Sequence, residues 1–224
     1  MGKRKFLIWS LLTTFIVLCL SIFVYFNFNG NPWKSREFAQ SVERYMKATY
    51  PEIAIKHQSV SYSFKEMKYY ATVITNSDLA IRISTDNDNQ LVDNYYVAKW
   101  EDEVSKSVSM YINKHIDPKA KVQFFIEAQN KELKAYKDYI SFVEFGDRFQ
   151  DKAKLFIELG DPKEDDEKQL QECFKMVEWI VLQKYKVNIV FFFKNDPFIR
   201  IQNTDIEKIQ DWKNLKDYLV WKGQ

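Results

Sequence analysis

The hydrophobic pattern begins with an uncharged run from Phe6 to Phe28. As an α-helix, this run would be about 34 Å long, which is enough to cross a hydrocarbon core of about 30 Å. Three basic residues at positions 3–5 precede it, and no acidic residue occurs before Glu37. The positive-inside rule then places residues 1–5 in the cytoplasm and the rest of the chain outside. The pattern therefore predicts a transmembrane anchor over residues 6–28.

Two other kinds of apolar N-terminal segment were weighed against a retained anchor. The apolar part of a cleaved signal peptide is typically about 7–15 residues long and is followed by small residues. Here Ile22–Phe28 contains no pair of small residues. A lipoprotein signal would depend on Cys19, but Leu18 precedes it and the apolar run continues beyond it. We therefore expect a single-pass protein of the cell membrane, with Cys19 as an apolar filler.

Helical and strand periodicities then alternate over a predicted first lobe, residues 31–117. Asn31 is a candidate cap and Pro32 a candidate first residue of a helix, which Pro51 ends. Residues 53–85 alternate with period two, which predicts an antiparallel meander of three strands. Helical spacing returns between Asp93 and His115.

The pattern predicts a second, mixed lobe over residues 118–224. Its strand candidates are 122–128, 153–159, a strand buried on both faces at 187–193, and an edge strand at 198–201. Its helix candidates run from Leu133 to Val143 with a stop at Gly146, from Gly160-Asp161-Pro162 onward, and from the capping box Thr204-x-x-Glu207. Together the two lobes predict an α+β fold after one transmembrane helix.

Charge and cysteine content narrow the possible partners. Three of the 33 basic residues precede the apolar run, which leaves 30 against 31 acidic residues and a net charge of −1. Such a domain has no electrostatic basis for binding nucleic acid. The two cysteines, Cys19 and Cys173, fall in the anchor and in a predicted helix, so we expect no disulfide; this is typical of exported proteins of Gram-positive bacteria.

Few residues suggest metal or ion binding. His57 and His115 have no second ligand at metal-binding spacing, and His115 suits the end of a helix. Asp86–Gln90 resembles the start of a calcium loop, but Leu91 replaces the required glycine, which favours a turn. The acidic run Glu164–Glu167 is typical of the first turn of a helix rather than of an acidic binding patch.

Familiar catalytic motifs are missing from the sequence. It has no G-x-S-x-G elbow, S-x-x-K motif, P-loop or H-E-x-x-H site, so we expect no cofactor and no metal. Two acidic residues that meet in space would still allow glycoside hydrolysis.

Aromatic clusters are the remaining candidates for a binding surface. Tyr69, Tyr70, Tyr95 and Tyr96 are the residues that we predict to contact a partner, since tyrosine suits recognition surfaces. Phe191–Phe193 is interpreted as core, because a strand with Phe on both faces is usually buried.

Several short motifs carry a family resemblance over about residues 1–90. They are Asn31-Pro32-Trp33, Tyr50-Pro51-Glu52, and Ser59–Phe64 followed by Tyr69–Val73. With them the chain resembles the YfjL-like family of small membrane-anchored Firmicutes proteins. The resemblance implies one membrane helix and a two-part α+β exported region, and it implies no activity. The order of helix and meander also looks like PepSY-type or cystatin-like modules, which would imply binding or inhibition.

These observations favour a non-catalytic extracytoplasmic module that binds a protein, a peptide or an envelope component. The alternatives are a cell-envelope hydrolase that uses paired carboxylates, and an immunity or sensor accessory protein. The tether after the anchor is short, so the module would work near the outer leaflet.

The anchor prediction is tested by the mass of the mature protein in the membrane fraction. We expect the mass of the whole chain, because no small-residue cleavage site follows the apolar run. Loss of about 30 N-terminal residues, as removal of a signal peptide requires, would contradict it.

Overall fold

A computed structural model describes residues 2–127, 141–145, 151–159, 166–193 and 198–220. The predicted helix 133–143 therefore lies almost wholly outside the described residues. The stop at Gly146, the start at Gly160-Asp161-Pro162 and half of the acidic run 164–167 lie outside them too. The chain divides into two compact units, Met1–Tyr95 and Tyr96–Gln224. The lobes 31–117 and 118–224 stay a prediction about domains.

Two helices separated by a sharp break open the first unit. Helix α1 spans Gly2–Asn29 and α2 spans Pro32–Thr49. Gly30 has φ +78°, a left-handed conformation that suits glycine. The side chain of Asn31 accepts hydrogen bonds from the N–H groups of Trp33 and Lys34, and Pro32 is the first helical residue. The predicted cap, the helix start and the stop before Pro51 are confirmed.

Helix α1 is long and apolar enough to cross a membrane, a property that a signal sequence would share. Its side chains from Leu11 to Tyr25 are all exposed, so this part of α1 is not a core helix of the unit.

Sheet A follows α2 and is antiparallel, with strand order β1-β2-β3-β4. Its strands are β1 Ile55–Ser63, β2 Lys68–Thr75, β3 Ala80–Thr85 and β4 Leu91–Asp93. The predicted meander thus has a fourth strand. The reason is the turn at Asp86, whose Oδ1 accepts hydrogen bonds from the N–H groups of Asp88 and Gln90, both at 2.9 Å. This turn folds the chain back onto β3 and confirms the turn interpretation.

One face of sheet A packs against α2 and is buried. Val42 and Met46 of α2 are buried, as are alternate residues of the inner strands β2 and β3. Those residues are Ala71, Val73, Ile81 and Ile83. The period-two pattern puts one apolar face toward the helix and leaves the other polar.

Helix α3, Tyr95–His115, starts after β4, where Asp93 caps it by accepting a hydrogen bond from the Tyr95 N–H at 2.8 Å. All but its first residue lies in the second unit. Its buried stripe confirms the predicted helical face; it comprises Val97, Ala98, Trp100, Val104, Val108 and Ile112.

Sheet B of the second unit has five strands in sequential order, β5 to β9. They are β5 Lys121–Ile126, β6 Ala153–Glu158, β7 Asn188–Phe192, β8 Phe198–Ile201 and β9 Leu219–Val220. Only the described pair β6–β7 is parallel, and α5, Asp166–Leu182, lies in the connection that such a pair requires. A short α4, Phe142–Phe145, precedes β6. The α+β class is therefore confirmed.

The last described residues correct three predictions. Strand β8 is not an edge strand, because β9 pairs with it. The last helix is in fact two 3-10 helices, Asn203–Lys208 and Trp212–Tyr218. The inward residues of this segment repeat every three positions, the period of a 3-10 helix. They are Ile206, Ile209, Trp212 and Leu215. The capping box is formed by Asp211 and Asn214 instead of Thr204 and Glu207.

Two neighbouring phenylalanines of strand β7 differ in burial. Phe191 is fully buried, whereas Phe192 is 40% exposed on the other face. The prediction that 187–193 is buried on both faces was therefore wrong at Phe192, because no residue spacing reveals which face of a sheet is covered.

Phe191→Ala is expected to lower the free energy of unfolding by about 3–5 kcal/mol, because it leaves a cavity in a packed core. Phe192→Ala is the matched control, and its effect should be less than half as large. Chemical denaturation of both variants measures the difference. Equal losses would contradict the assignment of the two faces.

Candidate functional site

A groove of about 750 Å³ lies between α2 and the start of β1 in the first unit. One wall is formed by residues of α2 that repeat every three or four positions, so they share one side of the helix: Arg36, Ala39, Gln40, Glu43 and Lys47. The floor and the opposite wall come from the turn after α2 and from β1: Tyr50, Pro51, Ile53, Ala54, Ile55 and Gln58. We refer to these residues as the α2–β1 groove.

The groove exists because α2 is amphipathic. Its apolar side, with Val42 and Met46, is buried against sheet A, which leaves a polar flank along the first strand. The side chain of Gln58 on β1 donates a hydrogen bond to the Ala39 carbonyl of α2 at 2.9 Å. This contact fixes the distance between helix and strand at the base of the groove.

The groove carries both signs of charge. Arg36 lies near its beginning, and Glu43 and Lys47 form an ion pair at 2.7 Å near its end. The hydrogen bond and charge of Lys47 lower the pKa of the Glu43 carboxyl. Both side chains are more than half exposed, so the pair contributes little to stability and is available to a ligand.

The second element of the site is the outer edge of β1. Within the described strands, β1 pairs with β2 alone, so its other edge presents backbone N–H and C=O groups. A register shift between Ile55 and His57 interrupts the pairing at the start of the strand. From Gln58 to Ser63 the pairing with β2 is regular, so this part of the edge is suited to accept another strand.

A buried carboxylate holds the floor of the groove in place. Tyr50 donates a hydrogen bond from its hydroxyl to Asp93 Oδ1 at 3.0 Å, and Tyr45 donates to Oδ2. Asp93 is only 5% exposed. Burial, followed by the hydrogen bond and charge of Asp93, raises the pKa of Tyr45 well above its usual range. The end of α2 is thereby tied to the strand β4.

The four predicted binding tyrosines have different local surroundings. Tyr69 and Tyr70 point to opposite faces of β2. The Tyr69 hydroxyl bonds to the backbone N–H and C=O of Asn31, and the Tyr95 ring lies 4.6 Å from that of Tyr50. Burial, then the charge of Glu52, raises the pKa of Tyr95.

Tyr96 lies in the second unit, where it packs against the apolar core 6.2 Å from the Trp100 ring. All four tyrosines are half-buried. Their role as binding residues stays a prediction.

The two histidines have different surroundings. His57 is exposed on β1, and His115 ends α3 with its ring 5.0 Å from that of Tyr111. Within the described ranges, no group of three or more His, Cys, Asp or Glu residues is arranged to hold a metal ion.

One acidic pair lies within electrostatic range in the second unit. Burial raises the pKa of Glu103, Lys99 lowers it, and Glu144 raises it again. Glu103 is half-buried whereas Glu144 is exposed, so burial acts on one carboxyl of the pair. Glu101 also has a raised pKa through burial, but its side chain accepts a hydrogen bond from the Ile126 N–H, a structural role.

The sequence analysis missed a row of aromatic side chains across the outer face of sheet B. Rings of β5, β6, β7 and β8 follow one another at centroid distances of 5.8, 5.9 and 6.1 Å: Phe125, Phe156, Phe192 and Phe198. The first three of these rings border a surface depression of about 720 Å³. The alternation within each strand was the available signal, but the strand order that aligns the rings was not in the sequence.

Comparison with known proteins identifies one match. The family model described as the YfjL-like N-terminal domain matches residues 3–123, more than half of the chain. The match extends beyond the segment that carried the resemblance and includes α3 and half of β5. No curated protein and no solved structure matches the chain.

Tyr45→Phe is expected to lower the free energy of unfolding by about 1.5–3 kcal/mol at pH 7, because it removes a hydrogen bond to a charged group. Above a pH of about 10, tyrosine ionises in the unfolded chain but Tyr45 stays neutral in the folded chain, so its contribution is lost as pH rises. The difference in free energy of unfolding between the wild type and the Tyr45→Phe variant should therefore become smaller above that pH.

Tyr62→Phe is the matched control, since Tyr62 contacts Tyr69 through its ring. Denaturation between about pH 7 and pH 11 compares the three chains across the ionisation range of tyrosine. A Tyr45→Phe effect no larger than that of Tyr62→Phe would contradict the role of the Asp93 hydrogen bonds.

Proposed function

We propose that this chain, which belongs to the YfjL-like family, is a membrane-tethered binding protein that takes up an extended segment of a partner protein in the α2–β1 groove. The observation that carries the proposal is the position of this groove beside the outer edge of β1, which pairs with no other strand among the described residues. The proposal includes an N-terminus inside the cell and both compact units outside it.

The tether is supported by the properties of α1. The described side chains from Leu11 to Tyr25 are exposed, as a helix that faces lipid requires. Basic residues at positions 3–5 favour an N-terminus inside, and the lack of small residues at the end of the apolar run favours retention. Arg36, at the start of the groove, follows α1 by seven residues, so the groove begins close to the outer leaflet.

Strand addition to β1 is supported by the geometry of the edge. An added strand would bond through its backbone to the Gln58–Ser63 edge, which gives affinity without a particular sequence. Specificity would come from side chains that enter the groove, where Tyr50, Ile53 and Ala54 offer apolar contacts. From Arg36 to Lys47 the groove follows α2 for about 17 Å, the length of about five extended residues.

The charged wall defines the kind of segment that fits. Arg36 at one end and the Glu43–Lys47 pair at the other suit a peptide of mixed charge. A strongly acidic or strongly basic polymer would meet repulsion at one of these residues. The proposed ligand is therefore an extended protein segment with apolar residues between its polar ones.

Site-specific photocrosslinking in native membranes tests the proposal. A photoreactive residue at Gln40, on the groove wall, should give a defined adduct with the partner protein. The crosslinked peptide should be the segment of the partner that lies along β1. The same residue at Arg82, on the opposite face of sheet A, should not give this adduct.

Filling the groove supplies the second part of the test. Ala54→Trp should reduce the Gln40 adduct by about tenfold or more, which corresponds to a binding loss of about 1.4 kcal/mol. Ala80→Trp is the matched control, because Ala80 at the start of β3 is an exposed alanine like Ala54 but lies outside the groove. Equal adducts from Gln40 and Arg82, or an adduct that Ala54→Trp leaves unchanged, would refute the proposal.

A further inference from the structure

The turn between β1 and β2 lies against the end of α1. The Phe64 ring of this turn stacks on the Phe28 ring at a centroid distance of 4.4 Å and an interplanar angle of 25°. Phe28 is the last apolar residue of α1, so the ring of Phe64 lies level with the end of the apolar segment. Nevertheless Phe28 is 56% exposed and Phe64 46% exposed.

Further exposed apolar side chains lie in the same turn and in the first turn of α2. Met67, at the other end of the turn, is 62% exposed, and Trp33, in the first turn of α2, is 67% exposed. The Trp33 ring lies 6.0 Å from that of Phe26 on α1. A protein in water alone would seldom leave such side chains together and uncovered. We define Phe28, Trp33, Phe64 and Met67 as the juxtamembrane patch.

Close contacts at the junction between α1 and α2 hold the patch beside α1. The Asn31 N–H donates to the Tyr69 hydroxyl at 2.7 Å, and that hydroxyl donates to the Asn31 carbonyl at 3.1 Å. Gly30 packs so closely on Tyr62 that an added Cβ would lie 2.8 Å from its ring. The start of β2 is therefore held at the level of the break between the helices.

We infer that the β1–β2 turn inserts Phe64 and Met67 into the outer leaflet, at the boundary between headgroups and acyl chains. This inference rests on the proposed anchoring of α1. An uncharged helix of this length ends at that boundary, and aromatic side chains prefer it. The patch continues the apolar surface of α1, so the same lipid that surrounds α1 also covers the patch.

The polar residues of the turn set the depth of insertion. Lys65 and Glu66 are exposed between Phe64 and Met67, so the turn stays at the headgroup level and does not enter the hydrocarbon core. The second turn at this end of sheet A, Asp86–Gln90, is polar. Contact with lipid is thereby restricted to the side of the sheet that carries α1.

A depth measurement on the full chain in vesicles of phosphatidylcholine and phosphatidylglycerol tests the inference. An environment-sensitive fluorophore is attached at Met67→Cys in a Cys19→Ser background. Cys173 is left in place, because it is fully buried and burial raises the pKa of its thiol. Asn76→Cys is the control, at the β2–β3 turn, about 26 Å away at the other end of β2.

Lipids with a spin label near the carbonyl end of the acyl chain should quench the fluorophore at position 67 severalfold more strongly than at position 76. Phe64→Ser in the Met67→Cys chain should weaken that quenching. Equal, weak quenching at both positions in a chain that resists alkaline carbonate extraction overturns the inference and leaves the anchor intact. Extraction of the chain by carbonate overturns the anchor, and the inference with it.

Discussion

The arrangement of the first unit depends on the hydrogen bonds between Tyr69 and Asn31. The chain leaves α1 and enters α2 within two residues, and such a break exposes backbone groups that need partners. The Tyr69 hydroxyl both accepts from and donates to the backbone of Asn31, and Gly30 has no side chain to separate that break from Tyr62. A long-range contact across 38 residues thus fixes the helix break on sheet A.

The consequence is a fixed geometry between the tether and the proposed binding surface. Because α2 starts at this break, the α2–β1 groove begins one turn of helix after it. Because β2 starts beside the break, the β1–β2 turn lies against the last apolar residue of α1. Under the proposed function, a partner would therefore meet the groove at a defined height above the lipid, which favours ligands that are themselves membrane-bound or attached to the envelope.

The confirmed predictions are those whose physical cause is local. The cap at Asn31, the start at Pro32 and the stripe of α3 follow from residues within a few positions of one another. The wrong predictions are those whose cause lies far away in the sequence or differs little from the predicted pattern. The fourth strand of sheet A requires that the turn at Asp86 return the chain onto β3, and β8 is interior only because β9 pairs with it. The last segment forms two 3-10 helices and not the predicted α-helix, since a few apolar residues do not distinguish periods of 3.0 and 3.6.

By itself, the sequence determined the apolar segment, the α+β class and the family, because length, periodicity and local motifs encode them. Only the tertiary structure decided which side chains meet. It separated the four tyrosines, placing Tyr69 at the helix break and Tyr96 in the second unit. It also created the α2–β1 groove and the aromatic row of sheet B, whose members are far apart in sequence. Strand order and helix placement bring such residues together, and no local pattern records either of them.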